Sequence, residues 1–394
     1  MAVRFLNYVV ADLCLGKPPL RSLPATVTVG EALTALKTFE ENYISVWSCK
    51  DHSHQDCGDC VCIGKVCMVD IICFLANEEN LSCPAEALSS PLSALLSPFP
   101  GLVKHVEPSS SLLDAIDLIL QGTQNLVVPI KTSSRSKALQ NCSTNSTTHN
   151  GGEFCWLTQE DVIRFLLSSI GLFSPVSART VESLGIISTD FMAIWYHSPA
   201  STAIGAISHS LAQQTSVGVV DSNGILVGEI SPFTLAGCDE SVAAAIATLS
   251  TGDLMSYIDC GGPPEDIVKV VKERLKERNY EGTLEEIEIF SSSISSSISS
   301  NSSSSEDDES SGSPITPLTR PGRYSRSRSY SVRMVRRSEA IVCHPGSSLV
   351  AVMIQALTHR VNYVWVIEDD CRLIGIVTFT NMLEVFREHF HSMS

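Results

Sequence analysis

A hydroxyl and a carboxylate three residues apart, where a β-rich run gives way to a helix, are well placed to hold a small polar molecule. Thr158 and Asp161 have this spacing after Cys155-Trp156-Leu157. Asp70 stands three residues after Cys67, Asn381 three after Thr378, and Ser231 opens a similar turn with Thr234 in place of an acid. A hydroxyl at a helix start lies beside unpaired backbone N–H groups, which favour anions. The same residue types also cap helices when no ligand is present. Both readings stand for each pair.

A second cluster points to metal chemistry. His52, His54, Cys57 and Cys60 fall within one short loop and offer the nitrogen and sulfur donors that tetrahedral zinc takes. Structural zinc sites usually join two separate knuckles, so a polar loop with exposed thiols is the preferred reading. No nucleophile–base pair, phosphate loop or paired-carboxylate motif stands out, which argues against an enzyme.

The elements that carry these residues repeat. The stretch Ser347 to Phe390 reads helix, strand, acidic turn, strand, helix: an apolar 3.6-residue period through Leu349, Val350, Met353, Ala356 and Leu357, then Tyr363–Ile367, then Leu373–Val377. Upstream, Pro108, Pro199 and Pro345 each precede a helix, and Thr158, Ser231 and Thr378 each open the helix after the last strand. A first copy runs from Pro24 to Cys67, its helix started by the capping box Thr28-Val29-Gly30-Glu31. Insertions of about 49–62 and 131–153 fall at the same point of copies one and two, as surface loops do. Four units are therefore expected, and one unit is too small to bury its apolar faces alone. The expected divisions are 8–78, 96–172, 185–260 and 338–391 for the units, with 261–337 between the last two.

With 394 residues, 44% of them hydrophobic, the chain is long enough for two cores. A net charge of −16 argues against general nucleic-acid or anionic-membrane binding, and no apolar run is long enough to span a bilayer. Fourteen cysteines scattered through apolar segments suggest a reducing compartment, cytoplasmic or nuclear. Arg4 and the apolar run Phe5–Leu15 are read as the first element of unit one.

The 261–337 segment has another character. It begins with an amphipathic helix from about Pro264 to Arg278. Between Ser291 and Gly312, 14 of 22 residues are serine, and seven arginines follow between Arg320 and Arg337. This composition predicts a disordered insertion with serines suited to phosphorylation.

The repeated unit resembles the cystathionine-β-synthase (CBS) motif, whose signature is glycine, two apolar residues, Ser/Thr, two variable residues and Asp. Gly375-Ile376-Val377-Thr378-Phe379-Thr380 followed by Asn381 carries it in unit four, and Cys155 to Asp161 carries all but the glycine in unit two. Unit one keeps Gly64 and Asp70 but has Cys67; unit three keeps Gly228 and Ser231 but ends on Thr234. Asp12-Leu-Cys-Leu-Gly-Lys-Pro-Pro19 and His359-Arg-Val-Asn-Tyr-Val-Trp-Val366 resemble plant CBS-domain-only proteins, distant relatives of the γ regulatory subunits of energy-sensing kinases.

The resemblance implies an α/β (α+β) fold of two tandem CBS pairs, four β-α-β-β-α repeats packed sheet to sheet, with clefts for adenosine-containing ligands. It implies a ligand such as AMP, ADP, ATP or S-adenosylmethionine, with Asp161 on the ribose hydroxyls and Thr158 on ribose or phosphate. An apolar adenine slot is expected from Val127 to Ile130, Pro129 included. His359-Arg360 and Lys104-His105 are candidates for phosphate. The first pair is expected to bind, since only unit two keeps both Thr158 and Asp161, whereas Cys67 beside Asp70, Thr234 beside Ser231 and Asn381 beside Thr378 depart from the signature. A non-catalytic regulator of a client enzyme, a kinase among the candidates, follows, with homodimerisation as in other members. The alternative is a ligand-free scaffold acting through its Ser/Arg-rich tract.

Overall fold

The structure is a computed structural model that describes residues 8–38, 42–49, 60–96, 101–130, 148–149, 152–259, 264–285 and 338–393. His52, His54, Cys57 and the Ser/Arg-rich tract lie outside the described residues.

The chain enters through one helical turn, α1 (Val10–Leu13), and then builds the first unit. β1 (Ser22–Pro24) leads through α2 (Val29–Thr38) to β2 (Tyr43–Ser48), which pairs parallel with β1 and antiparallel with β3 (Val61–Cys67); α3 (Met68–Leu75) follows. A parallel pair needs a crossover and an antiparallel pair needs only a hairpin, which is why one helix sits between the first two strands. The second unit repeats this with β4 (Val103–His105), α4 (Leu112–Leu120), β5 (Asn125–Ile130), β6 (Thr148–His149), β7 (Gly152–Thr158) and α5 (Gln159–Ser168), β6 being an added edge strand on β7. The third is β8 (Met192–Trp195), α6 (Ile204–Gln213), β9 (Val217–Val220), β10 (Leu226–Ile230) and α7 (Pro232–Leu235). Helices α8 (Val242–Thr248), α9 (Thr251–Asp259) and α10 (Glu265–Glu277) come next, the last being the amphipathic helix expected there, with Val271 and Leu275 inward. The fourth is β11 (Val342–Cys343), α11 (Leu349–His359), β12 (Tyr363–Ile367), β13 (Leu373–Thr378) and α12 (Phe379–Met393). The fold is thus mixed α/β, with four small sheets in two tandem pairs.

Each unit has two apolar faces, and each face finds a different neighbour. Sheet packs on sheet within a pair: Trp47 and Cys62 of unit one meet Val127, Phe154 and Trp156 of unit two. Helix packs on helix between pairs. One core joins Leu33 and Ile72 of unit one to Ile207, Ile230 and Ile246 of unit three; another joins Ile116 and Leu166 of unit two to Met353 and Phe386 of unit four. A fully buried aliphatic or aromatic side chain contributes about 1.5–3 kcal/mol. A guanidinium fork from Arg387 to Asp117, at 2.5 and 3.0 Å, ties the second contact at its edge.

Segments between units also cross over. The backbone of Val10 donates to Ser110 at 2.9 Å and that of Leu112 to Tyr8 at 3.0 Å, so the entry segment read as part of unit one is bound to unit two. The second pair copies the arrangement: Val181 donates to Ser347 and Leu349 to Arg179, both at 2.9 Å. Crossing segments also explain the signature glycine. A Cβ on Gly228 would meet the carbonyl oxygen of Ser338 at 2.5 Å, and one on Gly375 that of Ser188 at 2.8 Å. Only a residue without a side chain lets another backbone approach so closely.

Candidate functional site

In each unit the last hairpin delivers the signature to a helix start. Thr158 pairs with Asn125, Cys67 with Tyr43, Ile230 with Val217 and Thr378 with Tyr363. All four helix starts are capped by their own signature residues. Asp161 Oδ2 accepts from the N–H of Thr158 at 2.8 Å and from its hydroxyl at 2.7 Å; Asn381 Oδ1 accepts from the same groups of Thr378 at 3.0 and 2.8 Å. Asp70 accepts from the Cys67 N–H at 2.7 Å, and Thr234 takes the place of the acid against Ser231 N–H at 3.2 Å. Capping accounts for the spacing in every unit, whatever else these groups do.

What differs is the surroundings. In unit two the ammonium of Lys17 pairs with Asp161 and also donates to the carbonyl of Trp156 at 2.6 Å. Donors from Thr158 and Lys17 converge on Oδ2 of Asp161. The Trp156 indole N–H lies in the sheet-to-sheet interface, 5% exposed, with no acceptor among the described residues. A buried donor left unpaired costs about 1–3 kcal/mol, so the first pair holds polar capacity that its own side chains do not use.

In unit one Lys65 faces the same interface. Its ammonium lies over the Tyr43 ring at 4.2 Å and 3.4 Å from Asn125 Oδ1. Burial lowers its pKa, opposed by Cys67 and Asp70. Burial raises Asp70 to about 6, opposed by the Cys67 N–H and by Lys65, and pushes the Cys67 thiol well above its usual range.

The second pair closes this region. Glu229, at the position equivalent to Lys65, is fully buried and accepts from Tyr363 Oη at 2.8 Å and Trp365 Nε1 at 2.7 Å. The network satisfies both aromatic donors across the pair and sits beside Ser231 and Thr378.

The adenine-slot residues lie elsewhere than an open groove. Val127 is fully buried between the sheets opposite Trp156, and Pro129 is half-buried opposite Phe154. Of the phosphate candidates, Arg360 terminates α11 in a left-handed conformation with φ of 55°, next to His359. His105 accepts from the Cys62 N–H at 3.0 Å and packs edge-on against Trp47, while burial lowers its pKa. Neither joins the helix starts. The cation at the Asp161 helix start is Lys17, whose contact spans 144 residues and leaves no local trace in the sequence. Lys65 and Glu229 had a signal: a charge at an inward strand position between a glycine and a β-branched residue, where an apolar side chain is usual.

Cys60 is buried at the mouth of the first insertion. Among the described residues, the donor atoms gathered with its sulfur are those of Cys49 and His149, neither of which the metal reading included. His149 stacks on Trp47 at 3.7 Å with 2° between the planes, and burial lowers its pKa to about 4.

Known proteins agree with this architecture. Residues 332–388 match the CBS domain family. The chain is 48% identical to the CBS domain-containing protein CBSX5 of Arabidopsis thaliana across 98% of both chains. It is 22% identical to an Arabidopsis SNF1-related protein kinase regulatory subunit gamma-like protein, covering 98% of this chain and 96% of that one. A Methanocaldococcus jannaschii structure described as a candidate archaeal homologue of γ-AMPK superposes with a TM-score of 0.53 at 14% identity, covering 96% of this chain and all of the other. That likeness concerns the fold. Four such units in sequence, and near-half identity over almost the full length, lead to one statement: the chain belongs to the CBS domain-containing proteins.

Proposed function

We propose that this chain is a non-catalytic regulatory protein of the cytosol or nucleus, whose first CBS pair takes an adenosyl ligand and thereby alters a surface offered to a partner enzyme. The observation that carries the reading is that Trp156 has an indole N–H with no acceptor among the described residues, buried between the sheets, while its backbone carbonyl meets Lys17 of the Lys17–Asp161 pair; the second pair instead has the closed Glu229 network. A ligand there finds a buried donor, a carboxylate for hydroxyls and an ammonium for phosphate. AMP, ADP, ATP and S-adenosylmethionine share this chemistry. Kinship with a SNF1-related kinase regulatory subunit gamma-like protein makes a protein kinase the first partner to test.

Binding regulates only if the ligand prefers one of two conformations. Displacing Lys17 from Asp161 would remove one tie between the entry segment and unit two while its backbone hydrogen bonds remain, and the two positions of Lys17 supply such a pair of states. Calorimetry with the four ligands on the full chain and on Asp161→Ala tests this. Binding by the wild type, weakened at least about tenfold (about 1.4 kcal/mol) in the variant, supports it. No binding at millimolar ligand rejects it and leaves the scaffold acting through the Ser/Arg-rich tract.

A further inference from the structure

Cys49 follows β2 and Cys60 precedes β3, and the register sets Ser48 opposite Val61, so the two thiols flank the mouth of the first insertion. His149 closes the second insertion on β6, paired with Gly152. Sheet-to-sheet packing of the pair brings it across to unit one. The sulfurs of Cys49 and Cys60 and a ring nitrogen of His149 all lie within 4.8 Å of one another. The measured Cys49 Sγ to His149 Nδ1 separation is 3.7 Å. With zinc–sulfur bonds near 2.3 Å and zinc–nitrogen bonds near 2.0 Å, tetrahedral ligands stand about 3.6 Å apart. The Cys49–His149 spacing matches this, and the other two separations lie within 4.8 Å.

Two further contacts orient the imidazole. Its Nε2 is 2.7 Å from the hydroxyl of Ser22 on β1, and its plane is stacked on Trp47, whose own indole N–H is held by Ser45 at 2.9 Å. With Nε2–H donating to Ser22, Nδ1 keeps its lone pair toward the thiols, the outer-sphere arrangement of metal-bound histidines. Two sulfurs and one imidazole nitrogen, with no carboxylate in the cluster, select zinc over magnesium or calcium.

We infer that Cys49, Cys60 and His149 form a zinc site that staples unit one to unit two across the first pair. The ligands come from two units separated by 89 positions between Cys60 and His149, so the ion joins the bases of the two insertions. Binding releases the thiol protons and needs no oxidant.

The test uses the full chain without a histidine tag, purified in a phosphine reductant without chelator, and loaded with zinc or cobalt. About one metal per chain, a thiolate-to-cobalt charge-transfer band and a rise in Tm on adding zinc are expected. Cys49→Ser and His149→Ala should lose the band. Ser22→Ala should weaken zinc about tenfold, and Cys83→Ser, at an exposed position away from the cluster, should change nothing. Substoichiometric metal in the wild type, or an unaltered cobalt spectrum in Cys49→Ser and His149→Ala, overturns the site. If those variants fail to fold, chelation of the wild type decides: a fall in Tm with two thiols newly open to a thiol reagent supports the site, and an unchanged Tm and thiol count refutes it.

Discussion

Lys65 and Glu229 occupy the same position of the same strand in units one and three, and the two pairs differ most there. Glu229 is enclosed and meets two aromatic donors of the partner sheet. Lys65 meets Asn125 at the margin of hydrogen bonding and lies near a carboxylate whose pKa burial has raised. One scaffold thus carries a completed polar network in one interface and an incomplete one in the other. The lesson is that the same capped helix start occurs in both pairs, whereas the residue two places before its hydroxyl position differs and sets how far the polar groups of the interface are satisfied.

Substitutions at the two positions should separate the pairs. Glu229→Ala removes the acceptor of two buried neutral donors and, at about 1–3 kcal/mol for each, should cost about 2–6 kcal/mol in chemical denaturation. A loss under about 1 kcal/mol would mean that the second pair is not closed by this network. Next in size is the ligand effect: Lys17→Met should weaken nucleotide binding several-fold, while Asn381→Ala leaves it unchanged. Equal losses from the two would place a ligand in both pairs. Thr158→Ala and Thr378→Ala should each cost about 1 kcal/mol of stability as lost caps, yet only the first should alter calorimetric binding.

The smallest effect concerns pH. Asp70 has a folded pKa of about 6 against an ordinary 3.8. A raised pKa means that its contribution to stability is fully present below about 3.8 and lost as pH rises through about 6. Denaturation of wild type against Asp70→Asn should therefore show the wild type losing ground over that window. A flat difference would show that Asp70 is solvated, and Lys65→Met should then also be silent.

Much of this was legible in the residues. Periodicity and turn chemistry revealed the four units, the Thr28–Glu31 cap, with Glu31 Oε2 accepting from Thr28 N–H at 2.8 Å, and the amphipathic α10. These depend on neighbours a few positions apart, and local patterns record them. The pairing of Asp161 with Lys17, the attachment of α1 to unit two and the approach of His149 to Cys49 depend on crossings of about a hundred residues or more. No local pattern encodes them. The spacing of Thr158 and Asp161 reads as a cap or as a ligand site; the structure shows the cap, which fixes their geometry by itself. The four-residue metal reading was built within one loop, whereas the cluster that forms among the described residues draws on two units.

The crosswise cores have a consequence for biosynthesis. Val10 and Lys17 leave the ribosome early, but their partners Ser110 and Asp161 emerge far later, and the inner side of α3 waits for Ile207 and Ile246. A nascent first half therefore carries an unclosed greasy flank, on unit one until Ile246 is made and on unit two until Met353 and Phe386 are, a situation that invites chaperone attention. Protein produced as isolated halves should need co-expression to stay in solution.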